Sequence, residues 1–140
     1  MQKEFSLLFH YFYDIITIME RWHSKEEHRT GIYFNPNHTD FYNAVNHSQI
    51  YIDKTELIQY TNSVLFGEQK YICVSRPRRF GKSVAANMLT AYYSRDCDSK
   101  ELFQGLKIAT HPDFEKHLNQ YNVIHLNMQS FLSKTQTIEQ

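Results

Sequence analysis

A short apolar run, Tyr71-Ile72-Cys73-Val74, breaks into Arg76-Pro77-Arg78-Arg79-Phe80-Gly81-Lys82-Ser83 and then into apolar residues at helical spacing. No other succession in the chain limits the possible folds so sharply. The stretch from Lys70 to Ser75 is short, β-branched and apolar, which predicts a strand buried on both faces of a parallel sheet. Pro77 and Gly81 force a turn. Beyond them Val84, Met88, Ala91 and Tyr92 form one stripe, which predicts a helix from Gly81 to Ser94. Strand, loop and helix in that order make the first half of a βαβ unit, so the expected class is α/β with helices flanking a parallel sheet.

The chain has 140 residues, enough for one ordinary domain with a core. Fifteen Lys plus Arg balance fifteen Asp plus Glu, leaving no global field to attract nucleic acid or an anionic membrane. Any anion binding is therefore local, and nucleic acid is not an expected partner. Cys73 and Cys97 provide neither a disulfide framework nor a zinc site, which fits a reducing cytoplasm. His23 with His28 and His38 with His47 lack metal-ligand spacing and read as solvent-exposed.

At the N-terminus Phe5, Leu8, Phe9, Phe12, Ile15, Ile16 and Met19 recur at helical spacing, predicting an N-terminal helix over residues 1 to 23. His10 and Asp14 interrupt it, and it falls short of the roughly 20 apolar residues that span a bilayer, so no membrane segment is expected. A polar linker follows to Asn37, then a helical turn over Phe41 to Val45 and a brief extended stretch over Gln49 to Ile52. Asp53 stands three residues ahead of Glu56, the spacing of a capping pair, and a helix from Lys54 to Phe66 is expected before Gly67. Leu102 to Ile108 reads as a short packed segment, Thr110 to Gln120 as a helix opened by Pro112, and Asn122 to Met128 as a second strand.

The turn carries chemistry as well as geometry. Gly81-Lys82-Ser83 supplies the second half of the phosphate-loop pattern, with Arg76 where the first glycine would stand. Phosphate oxygens need a concave row of backbone N–H groups at a helix N-terminus, and Gly81 permits close approach. Lys82 would reach the β and γ phosphates as a point charge, and the Ser83 hydroxyl would complete a Mg2+ shell. Arg78 and Arg79 would support the polyphosphate, with Phe80 between them and the glycine. Without a glycine at position 76, the turn has to be made by other dihedrals around Pro77. For the tripeptide alone a plain turn before a surface helix would suffice; the strand before it and the helix after it favour the phosphate reading.

Residues 32 to 132 resemble the bacterial and archaeal AAA-ATPase-like family. Its members carry a tyrosine-valine-aspartate-lysine-threonine element, a helix, a strand and a proline-arginine-arginine-phenylalanine-glycine-lysine loop. Here these stand as Tyr51-Ile52-Asp53-Lys54-Thr55 and Pro77 to Ser83, with Leu102 to Ile108 and Val123 to Asn127 similar to the family's connecting segment and second strand. The resemblance implies a P-loop NTPase core using ATP and Mg2+, and it makes Arg76 part of a family-specific loop.

Hydrolysis needs an acid at the tip of a strand beside the loop. Val123 to Leu126 ends in Asn127, and Ile15 to Met19, although followed by Glu20, reads as helix. The expectation is therefore an incomplete core over residues 31–140, ending before the acidic strand, with residues 1–30 outside the resemblance. It would bind ATP with little or no turnover of its own. The rival expectation is a non-catalytic interaction fragment that self-associates, or takes a protein partner, through the N-terminal helix and an open sheet edge.

Overall fold

The computed structural model describes residues 4–8, 14–19, 37–95 and 97–127. Their elements, in chain order, are β1 (Glu4–Leu8), β2 (Asp14–Met19), α1 (Asn37–Asn46), α2 (Glu56–Val64), β3 (Ile72–Cys73), α3 (Lys82–Tyr93), α4 (Lys100–Phe103), a 3-10 turn (Lys107–Thr110), α5 (Phe114–His117) and β4 (Asn122–Asn127). The class is α/β, as the sequence predicts.

The N-terminal helix is not formed. Residues 4–8 and 14–19 are instead an antiparallel pair of strands, with Leu8 opposite Ile15 and Glu4 opposite Met19. Apolar residues are so dense in this segment that helical spacing is satisfied along with almost any other. The discriminating signal is the β-branched run Ile15-Ile16-Thr17-Ile18, whose crowded Cβ atoms favour extended backbone.

This pair fills the sheet. The strand order is β3-β1-β2-β4, so β1 and β2 lie between the two strands legible from sequence. β1 pairs with β3 in parallel, while β2 runs antiparallel to both β1 and β4. Among the described residues the sheet is thus mixed, in place of the parallel one expected, and has four strands where the sequence shows two. β3 is also shorter than predicted and is not buried on both faces. Ile72 is buried and Cys73 exposed, and among the described residues β1 is its one neighbouring strand.

The core lies between this sheet and α3. Ile16 and Ile18 of β2 and Val123 of β4 meet a helix that is buried from Ala85 to Tyr93 apart from Asn87. α1 lies along α3 and seats Phe41, which stacks on Phe103 with ring centroids 5.3 Å apart. α2 contributes Ile58, and Leu65 just beyond its end joins it.

The hydroxyls of Tyr92 and Tyr93 are buried but satisfied, as such groups must be. Tyr92 donates to the Phe114 carbonyl at 2.7 Å, and Tyr93 donates to Asn62 Oδ1 at 2.7 Å. Burial pushes the Tyr92 hydroxyl up to about 12 and raises Tyr93 further. Asn119, with φ 54°, donates to the carbonyls of Ser94 and Ala91 at 2.8 and 3.1 Å and so ties the end of α3 to the approach to β4.

Other boundaries moved. The helix expected from Thr110 to Gln120 is reduced to the single turn of α5, the 3-10 turn before it ending at Thr110, and the segment from Leu102 to Ile108 is divided between α4 and that 3-10 turn. The linker expected before Asn37 lies outside the described residues.

Candidate functional site

The loop between β3 and α3 makes its turn with two left-handed residues, Arg79 at φ 67° and Gly81 at φ 74°. The turn needed to offset the missing first glycine is therefore placed at Arg79, beyond Pro77. An arginine held there costs about 1–2 kcal/mol, strain of the kind found at functional loops. Gly81 is the residue before the first turn of α3, and its carbonyl accepts the Ala85 N–H at 2.9 Å.

Lys82 folds back across this turn. Its Nζ donates to the Arg76 carbonyl at 2.5 Å and to the Pro77 carbonyl at 3.2 Å. The ammonium thus ties the first residue of α3 to the carbonyls at the start of the loop. Arg78, Arg79, Phe80 and Ser83 are all exposed, and Ser83 lies in the first turn of α3.

One residue of the site is not evident from the loop motif. Lys54 Nζ donates to the Phe80 carbonyl at 2.5 Å, across 26 positions of sequence. A Cβ built on Gly81 would lie 2.7 Å from that nitrogen. The φ of Gly81 favours glycine there, and any side chain at position 81 would displace the Lys54 ammonium.

The backbone beside Lys54 is pinned. Asp53 does not form the capping pair with Glu56, and α2 starts after Thr55 without a side-chain cap. Asp53 Oδ1 instead accepts from the Thr55 N–H and hydroxyl at 2.8 and 2.7 Å, and Oδ2 accepts from the Lys107 N–H at 2.8 Å. Thr55 Oγ1 accepts the Ile108 N–H at 3.1 Å. Partial burial alone would push the Asp53 carboxyl up; these hydrogen bonds, with the Lys107 charge, outweigh it and hold the carboxyl below its ordinary range. Next to it, burial and the Asp53 charge push the Tyr51 hydroxyl up to about 12.

A cavity of about 480 Å³ adjoins the loop. Its walls come from α1 (Ala44), the segment after it (Ser48, Ile50, Tyr51, Ile52, Lys54), the loop (Arg79, Phe80, Gly81) and the start of α3 (Val84, Ala85, Met88). Most of these side chains are apolar, and the cationic Lys54 and Arg79 stand beside the loop, so the lining suits a ligand with both an apolar and an anionic part.

Strand direction limits which acids can approach. β1, β3 and β4 run one way and β2 the other. Met19 therefore ends β2 at the edge of the sheet away from the loop, which argues against β2 as a catalytic strand; Glu20 lies outside the described residues. Asp14 stands at the loop edge, in register with Asn127. No group of three or more His, Cys, Asp or Glu fit to hold a metal occurs among the described residues. His47 is exposed, whereas His23 and His28 fall outside the described residues.

A family model described as a predicted AAA-ATPase, the AAA-ATPase-like family, matches residues 37–140. No curated protein and no solved structure matches the chain. The matched span contains the Asp53 to Thr55 clamp, the whole loop from Arg76 to Ser83, α3 and β4, while β1 and β2 precede it. The chain belongs to the AAA-ATPase-like family.

Proposed function

We infer that the chain binds a nucleoside triphosphate, ATP with Mg2+, at the loop from Arg76 to Ser83. The observation that carries this reading is the loop's conformation: left-handed Arg79 and Gly81 turn the backbone into the N-terminus of a twelve-residue helix, with Lys82 drawn over the turn. Backbone N–H groups at such a terminus favour an anion. Lys82 would exchange the Arg76 and Pro77 carbonyls for phosphate oxygens. Ser83 Oγ would serve the metal, which would supply charge neutralisation of the polyphosphate. Arg78 and Arg79 flank the phosphates, Phe80 and Gly81 contribute backbone, and the base enters the apolar cavity beside Ile50, Ile52, Val84 and Met88.

The reading is one of binding, with little or no hydrolysis by this chain alone. Asp53, the carboxylate adjacent to Lys54, is committed to Thr55 and Lys107. A cytoplasmic setting accords with the two cysteines, neither of which is in a disulfide. Among the described residues no helix is long and apolar enough to cross a membrane.

Exposed Ile124 and Leu126, which share one face of β4, support a second reading, association with another chain through that apolar face. The two readings separate by light scattering combined with thermal melting. A monomer whose melting temperature rises only when MgATP is added favours nucleotide binding. A concentration-dependent oligomer that ignores MgATP defeats it.

A further inference from the structure

Lys54 reaches the loop from outside the phosphate-loop motif and from a rigid base. Asp53 and Thr55 on either side of it are bonded to the backbone of Lys107 and Ile108, so its Cα is fixed by contacts with a distant segment of the chain. Its ammonium stands over the loop, against Gly81 and on the Phe80 carbonyl. It also lines the cavity, at the border where Ile50, Ile52, Val84 and Met88 give way to the loop. An ammonium carries three donors. Among the described residues Lys54 Nζ donates one hydrogen bond, to the Phe80 carbonyl.

We propose that Lys54 is a second phosphate-binding cation, serving the phosphate nearest the nucleoside while Lys82 serves the outer two. The assignment rests on the nucleotide reading above. With the base in the apolar cavity and the outer phosphates in the loop, the inner phosphate crosses the border at which Lys54 stands. Without that cation the phosphate would face the Phe80 carbonyl and an apolar wall, both unfavourable to an anion. Lys54 places its positive charge between the two and holds the carbonyl with one donor while offering the others to the ligand. A platform fixed by Asp53 and Thr55 makes this contact without ordering a mobile segment on binding.

Displacement of a fluorescent ATP analogue from the full chain tests this with Lys54→Gln, Lys54→Arg and Lys82→Ala. Glutamine retains a donor for the Phe80 carbonyl and removes the charge; arginine retains the charge. We expect Lys54→Gln to weaken MgATP by about tenfold to a hundredfold, the worth of a hydrogen bond to a charged group. Lys54→Arg should recover most of that loss. AMP, which has only the inner phosphate, should lose affinity in Lys54→Gln and keep it in Lys82→Ala.

Unchanged MgATP affinity in Lys54→Gln, with binding abolished in Lys82→Ala, would overturn the role of Lys54 and leave the loop reading standing. Equal losses in Lys54→Gln and Lys54→Arg would also overturn it, since charge would then not be what matters. Unchanged affinity in Lys82→Ala would overturn the loop reading and this inference with it. Cooperative melting without nucleotide verifies folding; Lys54→Met replaces Lys54→Gln, and Lys82→Gln replaces Lys82→Ala, should either fail it.

Discussion

Ile16→Ala tests whether β2 is a central strand. Ile16 is fully buried, and β2 is hydrogen-bonded on both sides, to β1 and to β4, with α3 packed against the sheet. Truncating a buried isoleucine to alanine costs about 2–5 kcal/mol, the larger figures belonging to sites that cannot collapse. Two flanking strands and a helix leave this site little room to collapse, so we expect about 3–5 kcal/mol. For a domain of this size that is a fall of roughly 9–15 °C in melting temperature. Ile16→Val should cost only about 0.5–1.5 kcal/mol. Ile50→Ala, at a residue 82% exposed, provides the control and should stay within about 0.5 kcal/mol of the parent. Urea unfolding followed by far-ultraviolet circular dichroism measures all three. If Ile16→Ala were no more destabilised than Ile50→Ala, residues 14–19 would lie outside the core and the sheet order would be wrong.

Three further outcomes follow from particular contacts. Gly81→Ala should cost about 1–2 kcal/mol from its left-handed φ and, by pushing Lys54 off the Phe80 carbonyl, weaken nucleotide binding as well, read by melting and by analogue displacement. Tyr93→Phe leaves Asn62 Oδ1 and Thr61 Oγ1 with one partner fewer in a buried site and should cost about 1–3 kcal/mol in urea unfolding. His117 is held below its ordinary pKa by burial first and then by Lys116, against an opposing pull from Asp113, while its Nδ1 meets the Tyr121 hydroxyl at 2.6 Å. The folded state thus binds fewer protons there than the unfolded one. The stabilisation is complete above about pH 6.5 and is lost as pH falls below it, and urea midpoints of His117→Gln should lack that part of the decline.

The loop was legible because its parts are neighbours in sequence: an apolar run, a proline, a glycine and a helical stripe each act within a few residues. Its closure by Lys82 was not, since a side chain folding onto carbonyls five and six positions earlier follows from the turn's dihedrals, and no residue pattern announces a left-handed Arg79. The antiparallel pair of β1 and β2 is hidden in the sequence because dense aromatic and aliphatic residues satisfy helical spacing by number alone. The β-branched run from Ile15 to Ile18 was the better guide.

Lys54 and Asp53 were hidden for another reason. Their partners, Phe80 and Lys107, are 26 and 54 positions away. The expected capping pair was a correct spacing put to a different use, because the Lys107 N–H competes for the same carboxylate and no local rule reports it. Family resemblance marked Asp53 to Thr55 as an element without saying what it does. The contacts show it joining the loop to the 3-10 turn at Lys107.

The central claim is that the loop from Arg76 to Ser83 holds a nucleoside triphosphate through Lys82. Titration calorimetry of MgATP into the parent chain and into Lys82→Ala examines it directly, since Lys82 is partly exposed and its removal disturbs no core contact. The account predicts a one-to-one isotherm for the parent and the loss of measurable heat for Lys82→Ala, with both chains melting cooperatively. Equal affinity in the two chains, or no binding by a folded parent, would contradict it.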